Sequence, residues 1–103
     1  MDYSSSMPYV VLNSYEFVAF MAELRDLNAR AAIAVRIDRL RGGLMGDAKS
    51  VGGGISELRI DVGSGYRVYF TTRNREVVIL LCAGDKGTQK TDIAKARTMA
   101  QNY

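Results

Sequence analysis

The stretch Ser56-Glu57-Leu58-Arg59-Ile60-Asp61-Val62-Gly63-Ser64-Gly65-Tyr66-Arg67-Val68-Tyr69-Phe70-Thr71-Thr72 decides the fold of this chain. Leu58, Ile60 and Val62 alternate with Glu57, Arg59 and Asp61, and then Tyr66, Val68 and Phe70 alternate with Arg67, Tyr69 and Thr71. A repeat of two belongs to a strand, whose successive side chains point to opposite faces. Gly63-Ser64-Gly65 is tight-turn chemistry, so the two runs predict an antiparallel pair. Downstream, the polar turn Arg73-Asn74-Arg75 leads into Val77 to Cys82, apolar throughout. That continuity predicts a central strand covered on both faces. Gly84 to Gly87 predicts a loop, and Thr88 to Asn102 a final helix with a weak apolar stripe of Ile93, Ala96 and Ala100.

Upstream the period changes. Tyr9 to Leu12 is a short strand-prone run, and Asn13 and Glu16 have the spacing of a capping box, with Leu12 and Phe17 at the staple positions. Phe17, Phe20, Met21, Leu24 and Leu27 form one helical stripe; Ile33, Ile37, Leu40 and Leu44 form a second behind a cap at Asn28. Gly42-Gly43 ends that helix, and so short a link predicts an antiparallel helix hairpin. Gly46 to Gly54, holding four of the ten glycines, predicts a flexible loop. The expected architecture is therefore α+β: an N-terminal strand and helix hairpin packed on a curved antiparallel sheet, with a C-terminal helix.

Composition narrows the chemistry. A chain of 103 residues predicts a single domain over residues 1–103, with 1–8 a loose leader that does not have the pattern of a secretory signal. No apolar run is long enough to cross a bilayer, and the expected location is cytoplasmic. There is no histidine, which excludes histidine acid–base chemistry and histidine metal sites; the single cysteine, Cys82, excludes an internal disulfide or a cysteine cluster for zinc. Cys82 ends an apolar strand and reads as a core thiol. Asp85 and Asp92 are too few acids for a two-metal nuclease, and Gly52-Gly53-Gly54 lacks the context of a phosphate-binding loop. No cofactor and no metal are expected. Charge is unevenly spread: residues 1–48 carry five arginines against six acids, residues 49–103 nine basic side chains against five acids. The C-terminal half is where a polyanion would bind.

Strand geometry turns that charge into a candidate site. If Leu58, Ile60, Val68 and Phe70 face the helices, then Arg59, Arg67 and Tyr69 share the other face on adjacent strands, with Lys86 entering from the end of the central strand. Guanidinium groups bind phosphate through paired hydrogen bonds and stabilise developing negative charge, and an exposed tyrosine can stack on an unpaired base. The plain alternative is a solvated sheet face in which Arg59 pairs with Glu57 or Asp61.

The meander resembles a known family. Glu57-Leu58-Arg59-Ile60, Gly63-Ser64-Gly65-Tyr66-Arg67-Val68-Tyr69-Phe70, the run from Val77 through Lys86 with Gln89, and Asp92-Ile93-Ala94-Lys95-Ala96 are similar to the HigB-like "addiction module killer", or phage-derived Gp49-like, proteins of the RelE/ParE superfamily. Ala32 to Leu40, Gly46-Asp47 and Val51-Gly52 fit as well, so the resemblance runs from about Tyr9 onward. It implies the toxin of a type II toxin–antitoxin pair that cuts messenger RNA on the ribosome. Arg67 would then stabilise the scissile phosphate, Arg59 would position the backbone, and Lys86 would serve the leaving group. Tyr69, Lys49, Arg73 and Lys90 are the further RNA-binding candidates. The implied partners are an antitoxin, often a helix-turn-helix protein encoded alongside, together with ribosome and messenger RNA. One departure stands out: several relatives carry a tyrosine or histidine where Gln89, Lys90 and Thr91 stand, which leaves the general base unassigned. A ParE-like inhibitor of DNA gyrase, without chemistry, is the alternative.

Overall fold

The computed structural model describes residues 8–103; the expected leader lies almost wholly outside them. Strand β1 (Val10–Asn13) is followed by helices α1 (Tyr15–Glu23) and α2 (Leu27–Arg41), strands β2 (Ala48–Gly52), β3 (Ile55–Ile60), β4 (Tyr66–Arg73) and β5 (Val77–Asp85), a 3₁₀ turn at Lys86–Thr88, and helix α3 (Gln89–Ala100). The strands form one sheet in the order β1-β5-β4-β3-β2. The α+β architecture and the β3–β4–β5 meander are as the alternation predicts, with Arg59 opposite Arg67 and Glu57 opposite Tyr69.

Two strands depart from expectation. β1 pairs with β5 in parallel, Val10 beside Val77 and Asn13 beside Leu80, so the sheet is mixed rather than antiparallel. β2 forms inside the segment expected to be a glycine loop, pairing with β3 from Ala48–Leu58 to Gly52–Ile55. Its glycines cluster at the end, where Gly52, Gly53 and Gly54 take φ of 86°, 65° and 78° in the turn to β3. The ladder of an edge strand is made by the backbone, which needs no apolar alternation.

Each face of the sheet has its own core. Leu58, Ile60, Val68, Phe70, Val78 and Leu80 pack with Phe17 of α1 and Ile33, Ile37 and Leu40 of α2. Ile55, Tyr69, Ile79, Leu81 and Cys82 pack under Ala96 of α3. The uninterrupted apolar run of β5 therefore does belong to a central strand with both faces covered.

The helix ends use different residues from those expected. The cap of α1 is Ser14, not Asn13: its Oγ accepts from Phe17 N–H at 3.0 Å and donates to the Leu81 carbonyl at 2.6 Å. Leu12 shares the α3-side face with Ile79 while Phe17 lies in the opposite core, so the staple does not form. The cap of α2 is Asp26, not Asn28, accepting from Ala29 N–H at 3.0 Å. In both cases the side chain that sits where four helical N–H groups lack partners does the capping. Leu27 and Leu44, expected on the apolar stripes, are exposed. Gly42 and Gly43 do end α2, with Gly43 at φ 89°.

Candidate functional site

Pairing in the meander builds a cationic pocket. Arg59 and Arg67 are direct cross-strand partners, and Arg67 lies beside Gly84 on its other flank. The Lys86 N–H donates to the Gly65 carbonyl at 3.2 Å, which holds the end of β5 against the β3–β4 turn. The positive φ of Gly65, 84°, shapes that turn, and the Lys86 stem packs at ordinary contact distance from where a Cβ would stand. The result is a cavity of about 210 Å³ lined by Asp47, Arg59, Asp61, Gly65, Arg67 and Lys86. A larger concavity of about 640 Å³ lies at the α1–α2 turn, but its Arg30 already donates to the Ala22 and Leu24 carbonyls.

Like charges directly opposite in a sheet repel, and here each arginine has a carboxylate partner. Arg59 binds Asp47 through Nη2 at 2.9 Å and Nε at 3.2 Å. This is neither of the partners, Glu57 and Asp61, that spacing suggests. The hydrogen bond from Arg59 holds the Asp47 carboxyl below its ordinary range; slight desolvation opposes it, and the charges of Arg59, Arg36 and Arg67 add to it. Arg36 of α2 fixes this corner by donating to the Arg59 carbonyl at 2.6 Å and the Asp47 carbonyl at 3.2 Å.

Arg67 is paired differently. Its Nε is 3.5 Å from Glu57 Oε1, and the Glu57 side chain is fully buried while that of Arg67 is 17% exposed. Glu57 Oε2 accepts from Gln89 Nε2, at the start of α3, at 2.6 Å. Sequence spacing offered Glu57 to Arg59 rather than to Arg67, and gave no sign of Asp47 or Gln89 as partners here, because each observed contact crosses between elements.

The other expected residues separate. Tyr69 is not exposed: α3 covers it completely, so its ring cannot stack on a base in this conformation. Burial, and then the charges of Glu57 and Asp92, push its hydroxyl well above the usual tyrosine range. Lys49 is exposed on β2 opposite Glu57, and Lys90 is exposed in the first turn of α3, four residues after Lys86. Arg73 stands at the far end of β4, roughly 20 Å from Arg67 at strand spacing. There it donates to the Ala100 and Tyr103 carbonyls at 3.0 and 3.4 Å and to Thr71 Oγ1 at 2.8 Å. Among the described residues no group of three or more His, Cys, Asp or Glu could hold a metal ion. No helix among them is long and apolar enough to cross a membrane.

A helix pair on one side of a five-stranded sheet, a third helix on the other and a basic pocket at the meander define a small domain with the fold of the RelE toxin. The structure is similar to that of an arginine-to-alanine double variant of E. coli toxin RelE in the free state, with a TM-score of 0.68 over 89% of this chain and 96% of that one. Sequence identity there is 15%, so the likeness is one of fold. Residues 19–103 match the family described as phage derived protein Gp49-like (DUF891), and the chain belongs to that family. It is also 48% identical over 95 residues to a protein of Haemophilus influenzae described as uncharacterized, covering 92% of this chain and 96% of that relative.

Proposed function

We propose that this chain is the toxin of a type II toxin–antitoxin pair and inhibits translation as a ribosome-dependent messenger RNA endoribonuclease. The observation that supports it best is the convergence of Arg59, Arg67 and Lys86, from three different places in the chain, on one open cavity. In the proposed reaction a ribose 2′-oxygen bonds to the adjacent phosphorus and the bond to the 5′-oxygen breaks. The 2′-hydroxyl proton leaves to a base and the departing 5′-oxygen gains one, giving a 2′,3′-cyclic phosphate and a 5′-hydroxyl end. Arg67 stabilises the charge that builds on the phosphate oxygens, Arg59 holds the neighbouring backbone, and Lys86 stabilises or protonates the departing oxygen. Lys49 and Lys90 extend the basic surface toward the rest of the RNA. The cavity holds two carboxylates as proton acceptors, Asp47 and Asp61, of which Asp47 is occupied by Arg59. With weak acid–base groups, positioning by the ribosome carries much of the rate. The partner that neutralises such a toxin is an adjacently encoded antitoxin, and the compartment is the cytoplasm.

The test is expression in growing cells of the wild type beside Arg67→Ala, with and without the neighbouring gene product, and mapping of transcript ends. New 5′ ends inside translated messages, absent with Arg67→Ala, are expected. Growth arrest with intact messages and DNA-damage signalling supports the second reading, a gyrase inhibitor without chemistry. One observation favours that reading: the burial of Tyr69 leaves the cavity lining without an aromatic or histidine side chain.

A further inference from the structure

Beside the cationic cavity, where α3 covers the same face of the sheet, lies a polar cluster that the chemistry above does not use. Glu57 is fully buried in a strand whose other α3-facing neighbour, Ile55, is apolar. Glu57 Oε1, Arg67 Nε and the Tyr69 hydroxyl are all buried with no hydrogen-bond partner. An acceptor, a donor and a hydroxyl of matching chemistry are thus gathered at one spot, with Oε1 and Nε 3.5 Å apart. Burying a carboxylate costs folding free energy, and an apolar residue would fill the same space without that cost. The other carboxylate oxygen is braced by Gln89, which ties the cluster to the start of α3.

We infer that Glu57 is the positioning residue of Arg67: its buried carboxylate, braced by Gln89, holds the Nε edge of the guanidinium, Nη1 donates to the Tyr66 carbonyl at 3.5 Å, and Nη2 is left for the cavity. The contrast with Arg59 carries the argument. Asp47 is on the solvent side of its pair, with a side chain 54% exposed, so an incoming phosphate can displace it. Glu57 has no exposed surface, and a phosphate entering the cavity cannot take its place. Arg67 therefore meets its ligand already oriented, without the loss of rotamer freedom that a free arginine would suffer on binding.

This inference rests on the reading of the cavity as a phosphate site, and its test separates the two. In isotope-labelled full-length protein, the Arg67 Nε–H resonance is expected to be resolved and slow to exchange. In Glu57→Gln it should exchange at least tenfold faster while the chain stays folded. On ribosomes programmed with messenger RNA, Glu57→Gln should lower kcat at least tenfold and change KM less than twofold. In an Arg67→Lys background the same change should cost less than twofold, because Glu57 acts through Arg67. Should Glu57→Gln fail to fold, Gln89→Leu, which removes the brace and keeps the carboxylate, is read by the same resonance. An unchanged Arg67 resonance in the folded variant overturns the inference, as does a full tenfold loss in the Arg67→Lys background. If the wild type cuts no message, the nuclease reading fails, while the resonance still decides whether Glu57 holds Arg67.

Discussion

Arg59 and Arg67 stand directly opposite each other on β3 and β4, and their carboxylate partners lie on opposite sides of the solvent boundary. Asp47, 2.9 Å from Arg59 Nη2, is exposed, whereas Glu57, 3.5 Å from Arg67 Nε, is wholly buried. One arginine is thus held by an exchangeable partner and the other by a fixed one.

If the cavity takes phosphate as proposed, the exposed pair competes with it. Asp47→Asn frees Arg59 and is expected to tighten binding of a non-cleavable RNA oligonucleotide about two- to fivefold, the scale of an exposed ion pair. The folded-state pKa of Asp47 is lowered from its ordinary 3.8, so the pair favours the folded state above that value. Its contribution is lost as pH falls through the lowered folded-state pKa. A carboxyl-detected NMR titration should show Asp47 titrating at a lower pH in wild type than in Arg59→Ala; coincident midpoints would remove the pair from solution.

Arg73 is expected to be structural. Its guanidinium donates to the Ala100 carbonyl at the end of α3 and to Tyr103 O beyond it, so Arg73→Ala should lower stability by about 1–2 kcal/mol in urea unfolding. RNA binding and growth arrest should be unchanged at equal folded protein. A loss of RNA affinity without a loss of stability would return Arg73 to the interface.

The β4–β5 turn contains removable strain. Asn74 and Arg75 both have positive φ, 56° and 59°, within the three-residue link between the partners Arg73 and Val77, where the Glu76 N–H closes a tight turn on the Arg73 carbonyl at 3.0 Å. Asparagine tolerates this conformation and arginine does not favour it. Arg75→Gly should therefore raise stability by about 0.5–1 kcal/mol, read from the urea midpoint at unchanged slope. A destabilised variant would mean that Arg75 makes a contact worth more than the backbone strain.

Cys82 should be chemically silent in the folded state. It is 3% exposed, and burial first, then the Asp92 charge, pushes its thiol up to about 11. Its Sγ donates to the Asp92 carbonyl at 3.4 Å. Reaction with an aromatic disulfide reagent at pH 8 is expected to be about a hundredfold slower than in denaturant. Equal rates would place the thiol at the surface.

Much of this was legible from residues alone where neighbours in sequence are neighbours in space. The alternation through Leu58, Ile60, Val68 and Phe70 specified two strands and the face each side chain takes, and hence that Arg59 and Arg67 lie side by side. The capping residues were missed by one and two positions, since Asn13, Ser14, Asp26 and Asn28 are all chemically able to cap and only the path of the chain selects among them. Tyr69 was misread for a related reason: period two says which face a residue takes, but not whether that face is covered.

What the sequence by itself determined is the set of local facts: strand and helix periods, turns, the absence of histidine, and the shared face of Arg59 and Arg67. Tertiary structure alone decided the parallel addition of β1 to β5, the pairing of β2, and the docking of α3 over Tyr69. It also chose Asp47 for Arg59 and Glu57 with Gln89 for Arg67. The physical reason is common to all of these. Backbone pairing and ion pairing take whatever complementary group the fold brings within hydrogen-bonding reach, and for Glu57 and Gln89 that group lies 32 residues away along the chain.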